Sequence, residues 1–420
     1  MIETHTRTIQ DIIVVGVERQ EDEHFQYGME ELENLAKALD LNLVASLSQK
    51  LRTPNQTTYI GSGKVNELSR LVETCDVNLV IFNDELSPSQ IRNLEKELEV
   101  TVYDRTMLIL DIFGERAKTN EAQLQVEIAR LKYLLPRLVG MRASLSRQGG
   151  SGSGLANRGA GETKLELDRR KIESRISALE KDLEMIVDRR QTQRQKRKNE
   201  GIPVVALVGY TNAGKSSLLN AIVSDKNDKY VFEKDMLFAT LDTSVRRVEY
   251  KKNLPFLLAD TVGFVSKLPT HLVKAFRSTL EEAREADLLL HVVDYSSDSY
   301  KEMMKTTENT LKELEIDQPS VTVFNKIDRT THTGGATKTD ERFISAKEGT
   351  GINELIETIQ TRVFQHFIQE ELFIPFNESK AFAYVNEHTH VLNQTENETG
   401  WHVKTFMHEK HSAALSAYKQ

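Results

Sequence analysis

At 420 residues the chain is too long for one ordinary domain and fits two to four. With 39% hydrophobic and 28% charged residues, and no apolar run of the roughly 18 residues a bilayer span requires, it reads as globular, without an integral membrane segment. A formal net charge of −8 argues against a globally basic nucleic-acid binder but not against a local basic surface, and the single cysteine, Cys75, excludes an intramolecular disulfide and fits a reducing compartment.

The N-terminus, Met1-Ile2-Glu3-Thr4-His5, carries no apolar signal core. Residues 1–117 then alternate strand and helix patterns. Asp11 to Val17 and Leu79 to Asn83 are apolar, β-branched runs that read as buried strands. Glu30 to Leu39 is an amphipathic helix, and Pro88 to Leu98 is another, with Ser87 as N-cap and Pro88 at the first helical position. Such alternation predicts a small α/β domain with a parallel sheet. Gly61-Ser62-Gly63-Lys64 lacks the upstream glycine of a phosphate loop, because Thr58 stands in its place, so it reads as a turn entering a helix from Lys64 to Val72.

Residues 118–200 change period. Leu124, Ile128, Leu131, Leu135 and Leu138, then Leu165, Ile172, Ile176, Leu179, Leu183 and Ile186, recur at helical seam spacing. Two long helices joined by a loop pack as an antiparallel hairpin, and a helix from Glu162 to Lys198 would extend about 55 Å. The joining loop holds six glycines within residues 149–161, with Arg158 among them and Arg142, Arg147 and Lys164 on either side. By composition it is either a flexible linker or a basic tip able to reach phosphates in a narrow place. The return helix ends in Arg189-Arg190-Gln191-Thr192-Gln193-Arg194-Gln195-Lys196-Arg197-Lys198, six basic residues without an acid, either a solvated face or a basic junction.

Residues 201–363 carry the chemistry. Val204-Val205-Ala206-Leu207-Val208 reads as a buried strand and runs into Gly209-Tyr210-Thr211-Asn212-Ala213-Gly214-Lys215-Ser216, a complete G-x-x-x-x-G-K-[ST] loop. Ser217 to Ala221 begins a helix. Backbone N–H groups and the helix dipole converge there on phosphates. Lys215 is expected to reach the β- and γ-phosphates, and Ser216 to ligate Mg²⁺. Phe256 to Asp260 is a strand ending in a carboxylate, and Asp260-Thr261-Val262-Gly263 makes D-x-x-G, where Asp260 can hold the Mg²⁺ shell and Gly263 can offer its N–H to the γ-phosphate. Between these lies Phe238-Ala239-Thr240-Leu241-Asp242-Thr243, in which Thr240, in preference to Thr243, closes over Mg²⁺. Lys215, Thr240 and Gly263 are thus the expected catalytic set.

The strand Val321 to Phe324 runs into Asn325-Lys326-Ile327-Asp328. Its carboxylate can accept from the guanine N1–H and 2-amino groups, a donor pair that adenine lacks. Ser345-Ala346-Lys347, after the strand Arg342-Phe343-Ile344, can give a backbone N–H to guanine O6. The expected ligands are GTP and GDP. Phe264 follows D-x-x-G where related enzymes carry a water-orienting glutamine, and a phenyl ring cannot orient water, so slow hydrolysis is expected.

Residues 364–420 read as a small α+β module, with strands at Leu372 to Pro375 and Trp401 to Phe406 and a helix from Ser379 to Leu392. His388, His390, His408 and His411 have no cysteine with them, and a metal there is not expected. The fold class is therefore α/β multidomain: an N-terminal α/β domain with a long antiparallel hairpin, a P-loop domain and a small C-terminal α+β domain.

The run Gly159-Ala160-Gly161-Glu162-Thr163-Lys164-Leu165-Glu166-Leu167-Asp168-Arg169-Arg170, together with the P-loop and Phe238-Ala239-Thr240-Leu241-Asp242, resembles the bacterial HflX GTPases over roughly residues 10–365. The first run is specific to that family, and the other motifs are shared more widely. Thr243 departs from the pattern, since many relatives carry proline there. The resemblance implies a GTPase, expected to be a cytoplasmic monomer, that binds the large ribosomal subunit and dissociates or rescues stalled or idle ribosomes. It makes Arg147, Arg158 and Lys164 candidate rRNA contacts. In related GTPases a P-loop asparagine helps to bind K⁺, which Asn212 would do here, unless it only shapes the loop. The competing readings are an RNA-binding or remodelling protein whose GTPase only regulates docking, and a membrane-recruited signalling GTPase. The absence of an anchor disfavours the latter and leaves only peripheral membrane association.

Overall fold

The computed structural model describes residues 10–20, 24–148, 156–199, 202–223, 238, 244–248, 255–269, 272, 280–330 and 339–420, side chains excepted at 138–148, 156–165 and 191–199. By internal contacts the chain divides into two units. The first is Met1–Glu184 with Lys234–Asp242 and Val265–Arg277, and the second is Met185–Glu233, Thr243–Phe264 and Ser278–Gln420.

In the first unit, β1 (Asp11–Glu18), β2 (Asn42–Lys50), β3 (Leu79–Phe82) and β4 (Thr101–Asp104) form a parallel sheet in the order β2-β1-β3-β4. The central strands are buried on both faces, as Ile12, Ile13, Val80 and Ile81 show, and so carry uninterrupted apolar runs, whereas β2 at the edge alternates. Helices α1 (Phe25–Lys37), α2 (Ser62–Cys75), α3 (Pro88–Leu98) and α4 (Arg105–Arg116) connect and follow the strands. The first begins earlier than the expected Glu30. The third starts as expected: Ser87 and Gln90 form a reciprocal capping box with Pro88 in the first turn.

Asp104 caps α4 and accepts from the Met107 N–H at 2.9 Å and the Leu86 N–H at 3.0 Å. It also accepts from the Tyr133 hydroxyl and, at 2.8 Å, from Arg137, whose guanidinium lies 3.5 Å over the Tyr133 ring. Tyr133 and Arg137 belong to α5 (Asn120–Gln148), so one buried carboxylate ties the long helix to the sheet domain. Burial, with Asp104 next to it, drives the Tyr133 phenol far above its ordinary range. Helix α6 (Ala156–Asn199) returns along α5, with Arg175 paired to Glu127 at 3.0 Å about equally far from the connection on either helix. It begins at Ala156 rather than Glu162, so Asn157 to Gly161 are helical and the expected loop of 149–161 is shorter. Residues 149–155 lie outside the described residues.

In the second unit a six-stranded sheet has the order β10-β9-β8-β5-β7-β6. Its strands are β5 (Val204–Gly209), β6 (Ser244–Val248), β7 (Phe256–Asp260), β8 (Leu288–Asp294), β9 (Ser320–Asn325) and β10 (Glu341–Phe343), all parallel except the edge strand β6. Strand β5 lies between β7 and β8, where the order of connections reverses, and ligands of such sheets bind outside the carboxyl ends of the strands at that point. Helix α7 (Lys215–Ile222) follows β5.

The C-terminal part is a three-stranded antiparallel sheet of β11 (Phe367–Pro375), β13 (Gly400–His408) and β12 (His390–Glu396), with a helix at Ser379–His388. The expected helix to Leu392 stops four residues short. Thr389 is extended, its hydroxyl donates to Val385 O at 2.7 Å, and Val391 pairs with Thr405. β-branched residues favour that ladder over another helical turn. His388 stacks on His411 at 5.4 Å, and His411 Nδ1 shares a hydrogen bond of 2.9 Å with the Tyr384 hydroxyl. No group of three or more metal-ligating side chains is suitably placed among the described residues, and no described helix is long and apolar enough to cross a membrane.

Candidate nucleotide site

The P-loop leaves β5 at Gly209 and enters α7 at Lys215. A Cβ on Gly209 would lie 2.2 Å from Val292 O, so only glycine lets β5 run this close to β8. Gly214 has φ +89°, and a Cβ there would meet the Asn325 amide nitrogen at 2.2 Å. The second P-loop glycine is thus required by the Asn325 side chain at the end of β9. Asn212, at φ +60°, is exposed in the loop, a left-handed conformation that asparagine tolerates.

Lys215 is buried, and its ammonium donates to Gly209 O at 3.1 Å and Tyr210 O at 2.8 Å. Burial pushes its pKa down to about 8 against the opposing pull of Asp260. His291 on β8 sits opposite Val208 and is pushed down to about 4, first by burial and then by the Lys215 charge. It is therefore a neutral core residue beneath the loop.

Asp260 is fully buried at the end of β7, and the Ser216 hydroxyl donates to its Oδ2 at 2.6 Å. A hydroxyl and a carboxylate oxygen side by side are two hard donors of the kind Mg²⁺ takes, so these residues fit the ion. The Thr261 hydroxyl donates to Leu207 O at 2.6 Å and fixes the start of D-x-x-G to β5. A Cβ on Gly263 would lie 2.8 Å from Thr211 Cα and 2.9 Å from Lys215 Nζ, so this loop rests directly against the P-loop. Phe264 N–H donates to Gly209 O at 3.1 Å, and its carbonyl accepts from Thr211 N–H at 2.8 Å. Its ring is buried. The residue where a glutamine would orient water is here a backbone clasp between the two loops.

The Asn325 amide bridges two loops. Its Nδ2 donates to Ala213 O at 2.9 Å and its Oδ1 accepts from Ala346 N–H at 3.0 Å, joining the P-loop to Ser345-Ala346-Lys347. Lys326, at φ +65°, pairs with Asp294 at 2.6 Å. Asp328 is exposed, and Ser345 Oγ donates to its Oδ1 at 2.7 Å. That bond, more than any other influence, holds the Asp328 carboxyl below its ordinary range and keeps it an acceptor. Val262 is buried beside Gly263, and Ile327 lies on the turn that carries Asp328.

The structure therefore brings together the P-loop, D-x-x-G, N-K-x-D and Ser345-Ala346. Ala239, Thr240, Leu241 and Asp242 lie outside the described residues. Phe238, from the same stretch, is buried at φ +54° with its ring edge-on to Phe113 of α4 at 4.5 Å. The side chains of Arg147, Arg158 and Lys164 also lie outside the described residues. The Lys326 partner Asp294 belongs to none of the sequence motifs, its signal being its place at the carboxyl end of β8, and neither does the buried Arg105.

Family profiles match along most of the chain. "GTP-binding GTPase N-terminal" covers residues 26–114, "GTP-binding GTPase Middle Region" covers 116–197, and "50S ribosome-binding GTPase" covers 204–326. The chain is 45% identical to the GTPase HflX of Caldanaerobacter subterraneus subsp. tengcongensis over 94% of its own length and 90% of that protein. It is 48% identical to that of Alkalihalophilus pseudofirmus, over 80% and 79% of the two chains. It is 38% identical to that of Escherichia coli, over 84% and 83%. Among solved structures, a GTP-binding protein from the archaeon Sulfolobus solfataricus in complex with GDP matches with a TM-score of 0.44 at 24% identity, over 85% of this chain and 99% of that one.

Proposed function

The chain belongs to the HflX family of GTPases, and from that membership we propose that its GTP-bound form docks on the large ribosomal subunit and that its helical hairpin then helps to dissociate or rescue stalled or idle ribosomes. GTP hydrolysis is the family's activity, and the residues of the site divide that work. Backbone N–H groups from Asn212 to Ser216 and the Lys215 ammonium would cradle the phosphates. Gly263 would give its N–H to the γ-phosphate, and Thr240 would close over Mg²⁺. Asp328 selects guanine, while Asn325 holds the loops that frame the base. Ser216 and Asp260 would hold Mg²⁺, which when bound neutralises charge on the phosphate oxygens.

With Phe264 buried and its backbone committed, no side chain at that position can orient water. Hydrolysis then depends on another group, and K⁺ held by Asn212 is the proposed source of the missing charge. We take residues 1–117, 118–200, 201–363 and 364–420 as the working divisions, acting in a cytoplasmic monomer. Arg147, Arg158 and Lys164 are the proposed rRNA contacts of the hairpin.

The observation that supports the ribosome reading most is the match of residues 204–326 to a profile described as a 50S ribosome-binding GTPase. Co-sedimentation with purified large subunits tests it. Retention with a non-hydrolysable GTP analogue and release with GDP are expected. Equal pelleting in both states, or none in either, would remove the nucleotide-controlled docking.

A further inference from the structure

Arg105, the first residue of α4, is 1% exposed and is the largest of the fully buried side chains. A buried guanidinium is costly unless all its donors are met. Here Nη1 donates to Asn83 Oδ1 at 2.9 Å, and Nη2 pairs with Glu31 of α1, itself 3% exposed. Its remaining two hydrogen bonds run to a single residue far along the chain: Nε to Ser266 O at 3.3 Å and Nη2 to Ser266 Oγ at 3.1 Å. The Ser266 hydroxyl in turn donates to Glu31. Ser266 therefore completes the coordination of a buried ion pair.

Its position is what gives this a consequence. Phe264 is clasped to the P-loop through Gly209 O and Thr211 N–H. Only Val265, also buried, separates that clasp from Ser266. Two Cα–Cα steps of about 3.8 Å each join Phe264 to Ser266, and so short a tether cannot absorb a large displacement. The next residue, Lys267, has φ +53° and pairs with Asp84 at 2.8 Å. A lysine in the left-handed region is strained by about 1 kcal/mol and persists where its surroundings over-determine it. At the other end of the same helix, Phe113 receives Phe238, the residue two before Thr240, again at positive φ.

We propose that Arg105 is a positioning residue for GTP hydrolysis: through Glu31 and Ser266 it anchors the chain just after D-x-x-G, and so sets where Gly263 presents its N–H. Helix α4 also packs Phe113 against Phe238, and its cap Asp104 holds Tyr133 and Arg137 of the hairpin. Asp328 lies outside this anchor, and the P-loop joins it only through Gly209 O and Thr211 N–H, so GDP affinity should change little.

The test is steady-state hydrolysis by the full chain, with GDP affinity measured beside it. Ser266→Ala should lower kcat about ten- to a hundredfold, the scale of a modest misplacement of a reacting group. KM and GDP affinity should stay within twofold. Ser266→Thr, which keeps the hydroxyl, should restore most of the rate. Because Arg105→Ala leaves the Glu31 carboxylate buried without its guanidinium and risks unfolding, the pair is replaced together as Glu31→Met with Arg105→Met. That double variant fills the space, removes the link to Ser266 and should show the same selective loss of kcat while still melting cooperatively. A kcat within twofold of wild type in both variants, or KM rising in step with the fall in kcat, would overturn the proposal.

Discussion

Asp328→Asn is the sharpest perturbation of base selection. Oδ1 of Asp328 already accepts from Ser345 Oγ at 2.7 Å, which leaves the other oxygen, with the remaining lone pairs, to receive guanine. In the asparagine variant the serine bond holds the amide oxygen, so the NH₂ group turns toward the base. There it faces the guanine 2-amino group, donor against donor. Two charge-assisted hydrogen bonds are lost, each about 1.5–3 kcal/mol, or about 3–6 kcal/mol together. That corresponds to a fall in GTP affinity of about a hundredfold to ten-thousandfold. Xanthine carries a carbonyl at the same ring position, which the new amide can satisfy, so xanthosine triphosphate should bind the variant better than GTP does. Equilibrium displacement of a fluorescent nucleotide by each triphosphate measures both constants. GTP affinity within threefold of wild type would refute the assignment of Asp328, and so would equal losses for both nucleotides.

Two further outcomes follow from the same geometry. Exchanging Na⁺ for K⁺ at constant ionic strength should speed hydrolysis, and Asn212→Ala should remove the difference; equal rates in both salts with the wild-type chain would leave Asn212 a loop-shaping residue at φ +60°. His291 titrates at about 4 in the fold against an ordinary 6.5, so between those values the unfolded chain binds more protons and stability rises with pH. Its contribution is present above 6.5 and is lost as the pH falls toward 4, about 2 kcal/mol of it by pH 5. The melting temperature of His291→Leu should therefore change less between pH 7 and pH 5 than that of wild type, and an identical change would show that this imidazole is not held neutral.

The nucleotide site was legible because its parts are contiguous. Each motif is a short run at the carboxyl end of a strand, and backbone geometry at Gly209 and Gly214 allows few alternatives. What the residues do to one another was less visible. Asn325 belongs to the base-recognition motif, yet its amide spans the P-loop and Ala346, a relation between segments that no single run encodes. Glu31 and Arg105 belong to none of these motifs. Glu31 does carry a signal, since it shares the buried face of α1 with Met29, Leu32 and Leu35, and Arg105 opens the apolar run Thr106-Met107-Leu108-Ile109-Leu110. Recognising the pair needed Ser266, which the sequence holds far from both. Helix ends failed where local composition competed with context. Gly159 and Gly161 suggested a loop where α6 already runs, and Thr389-His390-Val391 left the helix for a ladder that only β13 could offer.

In the proposed function the hairpin acts on the ribosome while the nucleotide controls docking. Light scattering of intact ribosomes, mixed with the protein and a non-hydrolysable GTP analogue, measures it directly. The wild-type chain should dissociate the ribosomes into subunits. A variant with residues 149–161 replaced by a short neutral turn should bind GTP normally but dissociate them slowly or not at all. Its binding to the large subunit should also depend less steeply on salt, as phosphate contacts are lost. Dissociation by that variant at the wild-type rate would contradict the claim and reduce the segment to a linker.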